Sequence, residues 1–223
     1  MKYNNYISIG NNCAPALAFR DLKLKTITYP FDWIPTTINV IYDILEKGPD
    51  KFLIFNNSST LITGINEELI EFQTKNNPGF PESHINAYNC WFVHDIDLTT
   101  QQLKEQYTRR YERLIEILTN KSNDSILFVH TNESGIYYKS FRDNEIKYYQ
   151  TLLKLEELLI NKFNLSNFKI INYSLNVFLD TVHIKNIQIK WDHELSDNGE
   201  LHIETIYNMY RTLIRNSINE LTN

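Results

Sequence analysis

Glycine and cysteine are scarce in this chain, and each scarcity excludes something. The six glycines are dispersed through 223 residues, so neither a G-x-G-x-x-G fingerprint nor a P-loop occurs and no standard nucleotide cradle is expected. The two cysteines, Cys13 and Cys90, are too few for a disulfide framework and wrongly spaced for a structural zinc. H-E-x-x-H, C-x-x-C and paired-histidine spacings are also missing, so no metal and no cofactor is expected. No apolar run reaches about 20 residues, which argues against a membrane span. The N-terminal stretch MKYNNYISIG lacks the apolar core of a signal peptide. A cytoplasmic protein with two free thiols is therefore the expectation. A basic excess is missing too: 22 Lys and Arg face 27 Asp and Glu, a formal net charge of −5, which argues against a nucleic-acid partner.

What is present is ordinary for a folded globular chain: 42% hydrophobic and 22% charged residues. The length fits a single domain, residues 1–223. Ile and Asn together supply about a quarter of the chain, a bias read as background.

Tyr3 to Ile9 reads as a buried strand ended by Gly10-Asn11-Asn12, and Cys13 to Leu24 as a helix with Pro15 tolerable in its first turn. A strand from Thr26 to Tyr29 is stopped by Pro30. Ile38, Ile41, Tyr42 and Leu45 recur at helical spacing up to Gly48. Residues 50–88 are less regular and read as an insertion. Cys90 to Val93 is a compact strand, and Gln101 to Asn120 a helix with Leu103, Tyr107, Leu114 and Leu118 on its inner face. Ser125 to Val129 and Phe168 to Ile171 read as strands flanking a Leu-rich helix, Asp143 to Phe163. Ile184 to Trp191 alternates as an edge strand, and Ile203 to Ile218 forms an amphipathic final helix. Strands alternating with helices predict an α/β fold: one three-layer domain with a mainly parallel sheet.

In such sheets ligands bind in the loops beyond the carboxyl ends of the strands. That rule nominates Gly10 to Cys13, Pro30 to Trp33, His94 to Asp97, and His130 to Ser134. Cys13 falls at the start of a helix, where backbone N–H groups and the helix dipole stabilise a thiolate and can hold an oxyanion. The alternative is a thiol that fills a gap as a small hydrophobe. His94 ends a strand and is followed by Asp95, so Cys13, His94 and Asp95 are the candidate catalytic set. His193, in Trp191-Asp192-His193-Glu194, competes with His94 for the same part. Asn11 and Asn12 border the thiol. Asp32 sits between Phe31 and Trp33 and needs a partner if buried. Arg110 projects about 20° from Leu103 on a helical wheel, so it faces inward and either pairs with a carboxylate such as Asp32 or holds an anionic substrate group. His130 and Glu133 follow a strand and, with Asn11, Asn12, Asp32, Trp33 and Arg110, are the candidate substrate contacts.

The segments Ser8-Ile9-Gly10-Asn11-Asn12-Cys13 and Tyr29-Pro30-Phe31-Asp32-Trp33, with Phe92-Val93-His94-Asp95, the Tyr107 to Arg113 run and Leu127 to Glu133, resemble a family described as papain-like cysteine peptidases. The match extends over roughly the first 60% of the chain in the expected order. The resemblance implies Cys13 as nucleophile, His94 as general base and Asp95 or another carboxylate orienting it. A cysteine-dependent hydrolase or acyl transferase acting on a small-molecule, peptide or glycan substrate is the leading expectation. One rival is a glycan-pathway transferase whose Asp32, Arg110 and His130 bind a phosphorylated or sugar-nucleotide donor. Another is a non-catalytic binding module. The sequence leaves the oligomeric state open.

Overall fold

In the computed structural model the described residues are 3–56, 66–70, 84–120, 125–132, 139–189 and 203–222, with backbone alone at 203–207 and 221–222. Four strands form a parallel sheet: β1 (Asn5–Ser8), β5 (Ile126–Thr131), β6 (Phe168–Ser174) and β7 (Ile184–Gln188), in the spatial order β1-β5-β6-β7. Three short strands, β2 (Phe55–Asn56), β3 (His84–Asn86) and β4 (Trp91–Phe92), make a separate antiparallel sheet. The helices are α1 (Ala14–Asp21), α2 (Ile38–Lys47), α3 (Thr100–Thr119), α4 (Lys139–Asp143), α5 (Glu145–Asn161) and α6 (Ile203–Thr222).

The central strands are hydrophobic on both sides because both sides are covered. Successive side chains point to opposite faces. Ile7, Ile126, Phe128, Ile170 and Ile184 pack with the inner faces of α2, α3 and α5. Tyr6, Leu127, Val129, Ile171 and Tyr173 pack with Ala14, Ala18 and Phe19 of α1 and Tyr210, Ile214 and Ile218 of α6. The fold is thus α/β with helices on both faces of a mainly parallel sheet.

Local signals explain most boundaries. Thr99 caps α3 through a capping box with Gln102, satisfying N–H groups the helix cannot pair itself. Gly48, at φ 97°, ends α2. The long Leu-rich helix is divided: Asn144 separates α4 from α5.

Two expectations are corrected. Thr26 to Tyr29 is a loop: the Tyr29 N–H donates to Asp32 Oδ2 at 2.6 Å and so is spent within the turn. The strand before His94 is not part of the parallel sheet. It is two residues long and pairs antiparallel with β3. His94 to Asp97 and Pro30 to Trp33 therefore do not extend from carboxyl ends of the main sheet, whereas Gly10 to Cys13 and His130 to Asn132 do.

Candidate active site

β1 and β5 are neighbours, yet the helix after β1 packs on one face of the sheet and the long helix after β5 on the other. Chains that part in this way open a crevice at the carboxyl ends of the two strands. Into it come Gly10 to Cys13 from β1 and His130 to Asn132 from β5. Backbone pairing runs on past β1, from Ile9 N to Val129 O (2.9 Å) and from Asn11 N to Thr131 O (3.4 Å). Gly10 permits this approach: a Cβ there would lie 2.6 Å from Thr131 Oγ1.

Cys13 is the N-cap residue of α1 and is half-buried. The Asn12 side chain accepts the Ala14 N–H at 2.9 Å, and Pro15 has no N–H to offer. The first turn therefore presents fewer free donors to an oxyanion than the helix start alone suggested. Cys90 is a different thiol. It is fully buried, 3.5 Å from Thr36 Oγ1, and burial pushes its pKa up to about 12.

Asn11 leads into a network that joins three strand ends. Its Nδ2 donates to Asn132 Oδ1 at 3.0 Å. Asn132 Nδ2 donates to Phe141 O (3.3 Å) and Glu145 Oε1 (3.2 Å). Glu145, at the start of α5 and 2% exposed, also accepts from Leu175 N (2.7 Å) and Asn176 N (2.9 Å), which follow β6.

A second polar row crosses the sheet. His130, Asn172 and Asn186 are register partners on β5, β6 and β7. Leu179 O accepts from Asn186 Nδ2 (2.6 Å), which leaves Asn186 Oδ1 for Asn172 Nδ2 (2.8 Å). Asn172 Oδ1 then faces His130 Nδ1 at 2.7 Å, so that nitrogen carries the proton. Burial brings the His130 pKa down to about 4, and the neutral imidazole keeps its lone pair on Nε2.

The remaining candidates stand on the loops around Asp32 and His94 and on α3. Asp32 is 1% exposed and its direct partner is Lys25 at 2.5 Å in place of the expected Arg110, whose charge acts on it as a weaker, secondary influence. Arg110 does face inward, stacked over Tyr107 (4.6 Å) and 3.8 Å from Asp95. Arg109 and Arg113, by contrast, are exposed. Asp95 takes hydrogen bonds from Gln106 and Tyr107, both at 2.8 Å, so both its oxygens face α3. His94 is exposed and meets Trp33 edge-on at 5.9 Å, and Arg20 of α1 lies 5.7 Å from the Trp33 ring. Glu133 and His193 lie outside the described residues. Among the described residues, no group of three His, Cys, Asp or Glu side chains could hold a metal ion, and no helix is long and apolar enough to cross a membrane.

Sequence reasoning missed Lys25, Glu145, Asn172 and Asn186. Glu145 looks like any acid in the first turn of a helix, and nothing local marks it as buried. The Lys25 signal was weak but present, since Leu24, Tyr29 and Phe31 surround the Lys25–Asp32 span.

An uncharacterized protein, R408, of Acanthamoeba polyphaga mimivirus is 25% identical over 225 residues, spanning 95% of this chain and 89% of that protein. No solved structure matches the chain. A family model described as "Putative papain-like cysteine peptidase (DUF1796)" matches residues 4–173, which include the Cys13 turn, the Asp32 and His94 loops and the Asn132–Glu145 network. The chain belongs to that family.

Proposed function

We propose that this protein is a cysteine-dependent hydrolase or acyl transferase with Cys13 as its nucleophile. The observation that carries the reading is the placement of Cys13. It is the more accessible of two thiols, at a helix N-terminus, just beyond the carboxyl ends of two parallel strands. A thiolate is favoured there by the helix dipole.

In this reading the Cys13 thiolate attacks a carbonyl carbon and forms an acyl-enzyme, and the leaving group departs with a proton from an imidazole. Water or an acceptor nucleophile then takes the acyl group. His94 is the proposed proton shuttle. Support comes from Trp33, which links the His94 loop to α1, the helix that Cys13 begins. Asp95 acts by anchoring that loop to α3 through Gln106 and Tyr107.

The test is the pH profile of Cys13 carboxamidomethylation in the native protein, with His94→Ala and His193→Ala beside it. A Cys13 pKa at least one unit below the ordinary value of about 8.5, moved upward by His94→Ala, is expected. An ordinary pKa overturns the reading, as does full turnover of amide and ester acyl donors by Cys13→Ser. A shift in His193→Ala alone transfers the shuttle to His193.

A further inference from the structure

We infer that Glu145 is a positioning residue that fixes which end of the Asn11 carboxamide serves the Cys13 site. The site then favours a substrate carrying an N–H or O–H donor beside the carbonyl under attack. This inference rests on Cys13 being the reacting group.

The argument is one of donors and acceptors. Four donors converge on Glu145: Asn132 Nδ2, Leu175 N, Asn176 N and Asn176 Nδ2. Only an ionised carboxylate, which accepts and never donates, satisfies all four. Glu145 and the Phe141 carbonyl therefore both require the NH₂ end of Asn132. Asn132 must in turn present its oxygen to Asn11, and Asn11 must answer with its own NH₂ group. What remains is Asn11 Oδ1, an acceptor on a side chain 3% exposed, two residues before Cys13, with no hydrogen-bond partner among the described residues. A buried polar atom without a partner calls for an explanation, and functional sites are where such atoms are retained. A donor on the bound substrate supplies the missing bond.

The crevice repeats the pattern. Ser8 Oγ and Thr131 Oγ1, on the same two strands, are also buried without a partner among the described residues. Hydroxyls adapt by rotating. The Asn11 carboxamide cannot, because reversing it would set two oxygens against each other at the Asn132 contact.

The experiment compares alkylation of Cys13 by iodoacetamide and by 2-iodo-N,N-dimethylacetamide, neutral reagents that differ in their N–H donors. Rates are taken at pH 9.5 and referred to an unstructured cysteine peptide, so an ordinary thiol pKa leaves this comparison readable while failing the functional reading. The wild-type ratio is expected to exceed that of the peptide by about fivefold, the worth of one net hydrogen bond. Asn11→Ala should return it to the peptide value. Glu145→Gln should lower the ratio part of the way, because a glutamine can offer Asn132 a donor in place of an acceptor while Phe141 O still holds the NH₂ end, and Glu145→Asp should keep more of it. A purely structural Glu145 would lower the melting temperature of Glu145→Gln and leave the ratio unchanged. A wild-type ratio equal to that of the peptide, or one untouched by Asn11→Ala, overturns the inference. If Glu145→Gln does not fold, Asn11→Ala still decides it.

Discussion

Lys25 and Asp32 face each other at 2.5 Å with almost no contact with solvent, the lysine side chain 9% and the aspartate 1% exposed. Asp32 also accepts the Tyr29 N–H at 2.6 Å, and the ammonium lies 4.5 Å from the Tyr29 ring. Burial alone pushes the aspartate pKa up and the lysine pKa down, and each charge is tolerated chiefly because the other is present. Removing one partner strands the survivor, which costs about 3–5 kcal/mol. Asp32→Ala and Lys25→Met should each lower the unfolding free energy in urea by that amount. The double replacement Lys25→Met with Asp32→Leu should lose clearly less than the sum. Full additivity would show that the pair does not act as a unit.

Gly10→Ala tests the β1–β5 crevice. The added methyl would lie 2.6 Å from Thr131 Oγ1, 3.2 Å from Pro15 Cγ and 3.3 Å from Thr131 N, closer than packed atoms normally come. Overpacking of this kind costs about 1–3 kcal/mol. Thr131→Ala removes the nearest of the three atoms. The double variant should therefore recover a good part of the loss, read as a coupling energy in a double-mutant cycle. No coupling would mean that the turn relaxes by another route.

Much of this architecture is legible in the chain itself, and the reason is burial on two sides. Ile126 to Val129 is hydrophobic at every position because α5 covers one face and α1 and α6 the other. The helices announce themselves through spacing, as Leu103, Tyr107, Leu114 and Leu118 do in α3. Partnership between polar residues distant in sequence is not legible. Asn11 meets Asn132 across 121 positions, and no periodicity encodes such a meeting. The short strand before His94 misled for a related reason: two buried residues look the same in a parallel sheet as in a separate hairpin. The flanking aromatics of Asp32 show that it needs a partner, but helical spacing points to Arg110, whereas Lys25 stands seven residues away in the same loop.

The two thiols should differ sharply in native reactivity. Cys90 is fully buried with its pKa pushed up to about 12, so its thiolate is negligible at pH 8. Cys13 is half-buried at a helix start. Titration of the native protein with 5,5′-dithiobis(2-nitrobenzoate) should release one equivalent of chromophore, and a second only in denaturant. Cys13→Ser should abolish the native phase, and Cys90→Ser should leave it intact. A native phase that survives Cys13→Ser would refute the assignment of the reactive thiol.

His130 links the polar row of the sheet to stability at mildly acid pH. Burial holds its folded-state pKa at about 4, against an ordinary value of 6.5. Between these values the unfolded chain binds a proton that the folded protein refuses, so unfolding takes up protons and is favoured as pH falls. The contribution is intact above about pH 6.5 and is lost progressively down to pH 4, reaching about 3 kcal/mol over the whole interval. His130→Gln has no titrating group at this position. Urea unfolding of the two proteins at half-unit steps from pH 4.5 to 7.5 should therefore give a wild-type stability that falls more steeply toward acid than that of the variant. The gap should be flat above pH 7 and should close or reverse below pH 5. Parallel curves throughout would mean that His130 accepts its proton in the folded state as readily as in the unfolded chain.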